Sequence, residues 1–364
     1  MNIFDKYFFY KSSTSMLQYD YLDGLRGIAV LFVLFSHLSN YGLHAFPRIS
    51  FSGSGKYGVF LFFNLSAFLL TLPFLRLTNS ELRNIKVWLN YGVRRFFRIF
   101  PLFIIVLTIS YNFKDNALFI PISTWEFKRH LLLLHGKNIF WTIPVEFKYY
   151  FILPVVALIF VLFKKNIVPS TIFITATLII VIRLLWPSEN SQMNTVILGP
   201  YLPIFLLGSF SALLIEKTSN LKWIEKASFR LASETGAFVL ILSIFILIPE
   251  ILGKILDRGI TTDSLHKDFL LFGIIWSLFI VLCHLGSGVL RKILSGKPIR
   301  FIGIISFSMY LWHIPVILFV RNSNLILHNK AWSAILITII VSTISYLVIE
   351  RPFMRIRLYA INKN

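Results

Sequence analysis

Two ionisable side chains in the first apolar run have the type and spacing to do chemistry. Asp23-Gly24-Leu25-Arg26-Gly27 leads into residues 28–36, apolar except for Ser36, and then comes His37. The run continues to Leu43, so it is long enough to cross a bilayer as a helix. Arg26 and His37 are eleven residues apart. On a helix that spacing leaves them ~20° apart around the axis and ~16 Å apart along it. Both side chains share one face, Arg26 near a membrane surface and His37 well inside. Ionisable groups inside spanning helices are costly and mark cavities or function, and a histidine near its usual pKa can take a proton from a hydroxyl at neutral pH. The plainer reading is a helix-end arginine that snorkels and a histidine bonded to a neighbouring helix.

Further polar residues recur at membrane depth. Phe62 to Leu70 carries Asn64 and Ser66, which could hydrogen-bond across helices or serve packing alone. Arg94, Arg95 and Arg98 crowd into five residues at a helix entrance. Arginine forks match phosphate oxygens in pairs, and anionic lipid headgroups are the competing partner. Trp141-Thr142-Ile143-Pro144-Val145-Glu146 runs on to Lys148 and Tyr150. A carboxylate beside aromatic rings suits gripping a sugar, and an aromatic belt with a solvated acid is the duller alternative. Lys148 is two residues from Glu146, the wrong spacing for a helical ion pair. Ser306, Ser308, Tyr310 and His313 follow in a late run, and Glu350-Arg351-Pro352-Phe353 closes the last one. His284 beside Cys283 reads as a helix–helix contact. Gly53-Ser54-Gly55-Lys56-Tyr57-Gly58 matches G-x-G-x-x-G, but it joins two apolar runs rather than a strand and a helix, so it is a turn. No metal site is expected.

These residues need a membrane scaffold to position them. The 364-residue chain is 56% hydrophobic and only 14% charged, against about 25% charged in soluble proteins; its mean hydropathy is +0.75. That composition reads as an all-α integral membrane protein. Ten apolar runs of spanning length fall near 22–43, 57–77, 97–112, 143–163, 168–186, 197–215, 235–252, 269–285, 302–320 and 331–350. Ten spans place both termini on one side. With that side cytoplasmic, the inner segments, from Lys6 and Lys11 through Lys164 and Lys165 to Arg357 and Lys363, hold roughly twice the Lys and Arg of the outer ones. The net charge of +20 is therefore topology rather than a nucleic-acid footprint. Arg94, Arg95 and Arg98 fall at the cytoplasmic mouth, and residues 113–142 form the longest outer segment. The lone Cys283 allows no intramolecular disulfide. No cleavable signal peptide precedes Leu22, and no repeat or linker divides the chain, so a single membrane domain is expected over 1–364.

Taken together, the motifs resemble the membrane-bound acyltransferase-3 family. Asp23 to Ala29 with His37 is similar to that family's arginine, ten residues, histidine signature. Phe62 to Leu70 resembles its second-helix motif, with Ala67 where a glycine is usual. Arg94-Arg95-x-x-Arg98-Ile99-x-Pro101 resembles its basic inner-loop motif, and Trp141-Thr142-x-x-Val145-Glu146 with Tyr150 its tryptophan–glutamate segment. Ser306-x-Ser308-x-Tyr310-Leu311-Trp312-His313 and Glu350-Arg351-Pro352-Phe353 are similar to its last two signatures. The six stand in the family's order between residues 20 and 353.

The resemblance implies an O-acyltransferase that takes an acyl group, acetyl by expectation, from cytoplasmic acyl-CoA, a co-substrate rather than a tightly bound cofactor. The implied acceptor is a hydroxyl of an extracytoplasmic or lipid-linked carbohydrate such as O-antigen in lipopolysaccharide, exopolysaccharide or peptidoglycan, and the implied home is a bacterial inner membrane. No appended soluble domain is expected. His37 would be the base, with Glu146 orienting the acceptor or the imidazole. Arg94, Arg95 and Arg98 would hold the coenzyme's phosphates, Arg26 and Asp23 would serve donor binding or helix docking, and Trp141 and Tyr150 would lie on the acceptor side. Asn64, Ser66, Tyr310, His313, Glu350 and Arg351 complete the motif set. A single tunnel from the arginines to the imidazole is required. A transporter or flippase of a lipid-linked sugar or small metabolite is the rival reading, and an acyl-histidine intermediate is the rival route within the enzyme reading.

Overall fold

The computed structural model describes Phe8, residues 19–162, 168–187, 190–218 and 221–259, Lys267, and residues 269–286, 288–323 and 329–356. Among these residues the chain is built of helices and turns, with no strand beyond one isolated bridge between Phe46 and Ile49. In order the helices are α1 (Asp20–Asn40), α2 (Gly55–Leu75), α3 (Asn79–Leu82), α4 (Ile85–Asn112), α5 (Thr124–Leu131), α6 (Thr142–Leu162), α7 (Val168–Leu185) and α8 (Leu202–Thr218). There follow α9 (Ala227–Ile246), α10 (Pro249–Leu256), α11 (Phe269–Leu285), α12 (Val289–Leu294), α13 (Lys297–Ile304), α14 (Ser306–Asn322), α15 (Lys330–Ser345) and the short α16 (Arg351–Phe353).

Each expected apolar run coincides with a helix, yet fewer than ten pass as complete spans. Among the described residues six helices are long and apolar enough to cross a membrane, and α13 with α14 makes a seventh if that pair, bent by 75°, is one span. Helices α7 and α11 are apolar but shorter. Helix α4 is 28 residues long and begins at Ile85 rather than near 97, because the Asn84 side chain caps it by accepting from the Lys86 N–H at 3.0 Å. The basic stretch is therefore the first half of a helix, not a loop before one. Lys6, Lys11, Lys164, Lys165, Arg357 and Lys363, which contribute to the orientation argument, lie outside the described residues.

Helices in lipid gain nothing from the hydrophobic effect against one another, so close approach and polar interlocks must hold them. Helix α1 lies against α2, α12, α13 and α14. A methyl group added at Gly24 would meet the Leu294 carbonyl, and one at Gly303 would overlap the Asp23 carbonyl. Only glycine lets these backbones touch. Ala67 on α2 stands opposite Gly208 on α8, where an added Cβ would lie 3.0 Å from that of Ala67. The partner helix thus supplies the small residue that α2 lacks. Polar links complete the assembly: Asn64 donates to Ser277 at 2.6 Å, Thr71 to Ser209 at 2.7 Å, and the Trp276 indole to the Tyr57 carbonyl at 3.0 Å. They tie α2 to α8 and α11, although the Asn64 Oδ1 is buried without a hydrogen-bond partner among the described residues.

Two irregularities shape the functional end. The chain breaks at Ile305, so α14 starts inside the fold. Opposite it, residues Tyr346–Glu350 form a π-helical turn, a feature common at functional sites. That turn carries Glu350, 4% exposed, onto the Ser308 hydroxyl and N–H. A carboxylate at a helix start complements the helix dipole. Glu350 is thus the cap of α14 rather than merely the end of its own helix.

Candidate active site

Two cavities enter the bundle, one beside the start of α1 and one beside its end. The first, about 550 Å³, is lined by Asp23 and Arg26 of α1, Ser66 of α2, Arg94, Arg95 and Arg98 of α4, Glu146 and Tyr150 of α6, and Ser306 and Tyr310 of α14. The second, about 810 Å³, is lined by His37 and Tyr41, by Lys114, Asp115 and Asn116 after α4, and by Lys137, Asn138 and Asn194. They share no lining residue.

The first cavity is arginine-rich because α4 turns Arg94, Arg95 and Arg98 towards it, while Arg26 reaches the same space from α1. Arg94 is exposed, and Arg95 and Arg98 are half-buried. The Arg95 Nε is buried with no hydrogen-bond partner among the described residues. Asp23 lies 3.8 Å from Arg300, which also pairs with Asp20 at 2.9 Å. The acids thereby dock α13 on α1 and leave the guanidinium groups facing the cavity. Such a concentration of forked cations in a half-dry cleft suits a phosphate-bearing ligand.

Glu146 belongs to this cavity, not to the histidine. Its Oε1 accepts from the Ser66 hydroxyl at 2.7 Å and the Tyr150 hydroxyl at 2.6 Å. Tyr150 therefore lines the arginine cavity as well. Trp141 is buried against Phe63 and Tyr201, with ring centroids 5.9 and 5.2 Å away, and lines neither cavity. Lys148 points away from Glu146 and donates to the Val196 carbonyl at 2.7 Å. Asn64 faces α11 and lies outside both cavities. Arg351 follows the π-helical turn beside Glu350, also outside both. His284 accepts from or donates to Tyr21 at 3.3 Å and stacks on Tyr19, a helix–helix contact.

Between the cavities stands a row of three mutually tilted rings. The Tyr310 hydroxyl donates to the Ile139 carbonyl at 2.6 Å and accepts from Thr142 at 3.1 Å, which fixes its ring on the lining of the first cavity. A buried phenol needs partners of this kind. The Tyr310 ring centroid lies 5.9 Å from that of His313, and His313 Nε2 lies 3.1 Å from His37 Nδ1. His37 then opens to the second cavity. In place of one continuous tunnel, the structure has two separate cavities, with Tyr310 on the lining of the first, His37 on the lining of the second and buried His313 between them. Beside the second cavity Lys137 pairs with Glu126 at 3.0 Å and donates to the Pro121 carbonyl at 2.8 Å. Among the described residues no three His, Cys, Asp or Glu side chains converge as a metal site would require.

Sequence reasoning missed the Tyr310–Thr142 link and the polar lining of the second cavity, since both depend on which loops fold over α14. The His37–His313 pair had a weak signal: both are histidines within apolar helices that start at the arginine end, His37 about five turns in and His313 about two.

Residues 19–351 match the family model described as an acyltransferase domain. The chain is 26% identical over 365 aligned residues to the peptidoglycan O-acetyltransferase OatA of Listeria monocytogenes, covering 92% of this chain and 55% of the relative. It is also 26% identical to O-acetyltransferase OatA of Staphylococcus aureus, covering 92% of this chain and 57% of the relative. It thus spans little more than half the length of these curated relatives. No solved structure matches it. This chain belongs to the acyltransferase-3 family.

Proposed function

From that membership we propose that this chain moves an acetyl group from cytoplasmic acetyl-CoA to a hydroxyl of a carbohydrate on the far side of the membrane. The observation that carries the reading is the placement of two unlike cavities at the two ends of one helix: an arginine-lined cleft at the start of α1 and a polar cleft lined by His37 at its end. In this reading the chain crosses a bacterial inner membrane ten times with both termini in the cytoplasm. Arg26, Arg94, Arg95 and Arg98 then hold the coenzyme's phosphates, and the thioester arm runs from that cleft towards Tyr310 on its lining.

His37 acts as general base. The acceptor oxygen attacks the thioester carbonyl as its proton passes to the imidazole; the carbon–sulfur bond breaks, and the thiolate leaves with that proton. Such assistance is worth ~10²–10⁴-fold. Glu146 serves the donor end, through Tyr150 and Ser66. The Listeria relative is named for peptidoglycan, and peptidoglycan is the first acceptor we propose, ahead of exopolysaccharide or O-antigen. Mass spectrometry of surface glycans from cells with and without the chain tests this. A gain of one acetyl mass on a defined sugar supports it; substrate moved across the membrane without added mass establishes the transporter reading instead.

A further inference from the structure

We infer that His313 is the positioning residue for His37, holding its ring and accepting a hydrogen bond from its Nδ1–H when it carries the substrate's proton. The inference rests on the assignment of His37 as base. Geometry fixes where the protons sit. His313 Nδ1 lies 3.1 Å from the Met309 carbonyl, and His37 Nδ1 lies 3.0 Å from the Val33 carbonyl. A carbonyl oxygen only accepts, so both Nδ1 atoms carry hydrogen. Each ring uses the carbonyl four residues earlier in its own helix, so the helices themselves set the two tautomers.

Neutral His313 then presents a bare Nε2 to His37 Nδ1, 3.1 Å away, and the single His37 Nδ1–H is shared between that nitrogen and the Val33 carbonyl. The proton-accepting nitrogen of His37 is consequently Nε2, the atom left free to meet an acceptor hydroxyl. Which ring nitrogen works is decided by what the other one bonds. When Nε2 takes a proton, the Nδ1–H becomes a stronger donor and His313 Nε2 is already in place to receive it. A buried carboxylate performs this office in hydrolytic triads; here it falls to a second imidazole. Glu146 cannot serve, because it lines the other cavity and is engaged by Ser66 and Tyr150. The remaining titratable groups near the pair are Tyr310 beside His313, and Tyr41, Lys114, Asp115 and Lys137 around the second cavity. No hydrogen bond joins any of those five to His37 among the described residues.

The test uses the full chain in proteoliposomes with acetyl-CoA and a glycan acceptor, comparing His313→Leu, His313→Gln and His37→Ala. A hydrogen bond to a charged group is worth enough to change kcat by about 10- to 100-fold. His313→Leu should lose that factor with donor KM unchanged, and His313→Gln, whose amide oxygen can accept from His37, should regain most of it. Wild-type turnover in His313→Leu, or equal loss in both variants at equal melting temperature, overturns the inference. If His37→Ala turns over normally, the base assignment itself has failed. Nitrogen-15 spectra of histidine-labelled protein give an answer that needs no acceptor. His37 protonated at Nδ1 and bare at Nε2 supports the inference, and the opposite tautomer overturns it even where His37→Ala is inactive.

Discussion

Replacing Arg98 with glutamine should raise the apparent KM for acetyl-CoA by about 10- to 100-fold and leave kcat nearly unchanged. The magnitude follows from exposure. Arg95 and Arg98 are half-buried in the first cavity, where water screens them poorly, whereas Arg94 on the same helix is exposed. A charge-assisted hydrogen bond in such a setting is worth ~1.5–3 kcal/mol, and ~1.4 kcal/mol is a factor of ten. An exposed pair is worth ~0–1 kcal/mol, so Arg94→Gln should raise KM by less than about fivefold. Arg98→Lys should fall between, since it keeps the charge but loses the fork. The assay is initial rate against labelled acetyl-CoA in proteoliposomes, with melting temperature as the control for folding. A rise in KM at constant kcat marks binding shared by ground and transition states. The reasoning is refuted if Arg94→Gln costs as much as Arg98→Gln. Donor saturation unchanged in both would leave the arginines to lipid headgroups.

Glu146→Gln keeps an amide oxygen for the Tyr150 and Ser66 hydroxyls while removing a negative charge from the arginine cavity; donor KM should fall, and a raised acceptor KM with constant donor KM would return Glu146 to the acceptor side. Gly303→Ala should lower the melting temperature, because its methyl would overlap the Asp23 carbonyl and overpacking costs ~1–3 kcal/mol; an unshifted melt would show that α13 can slide away from α1. Glu126, outside the spans, should give a pH signature. Burial pushes its carboxyl up, but the Ser123 N–H and hydroxyl and the Lys137 ammonium outweigh that and bring it from 4.5 to about 2. A depressed pKa contributes stability that is complete above 4.5 and is lost as pH falls towards 2. The wild type should therefore lose melting temperature below pH 4.5, and Glu126→Gln should lose less over the same window. Parallel curves for the two proteins would contradict this.

The elements were legible because apolar runs announce helices, and every run from 22–43 to 331–350 holds one. The number of complete spans was not, because α4 carries its arginines within a continuous helix, α7 and α11 are short, and the chain bends by 75° between α13 and α14. The arginine cluster was legible as a charged face on one helix. The partners of His37 and Glu146 were not. Spacing along α1 relates Arg26 to His37, but it cannot say that α14 brings His313 to the imidazole while α6 turns Glu146 to the arginines. Those choices are made by helix contacts far apart in sequence, such as Gly303 on Asp23 and Tyr310 on Ile139.

Everything proposed for this chain turns on whether the ring of His37 takes the acceptor's proton. The most direct measurement is transfer of labelled acetyl from acetyl-CoA to glycan by purified His37→Gln in proteoliposomes, at a melting temperature matched to wild type. The account predicts a loss of at least ~10²-fold in kcat with donor KM unchanged. Turnover within a few-fold of wild type would contradict it.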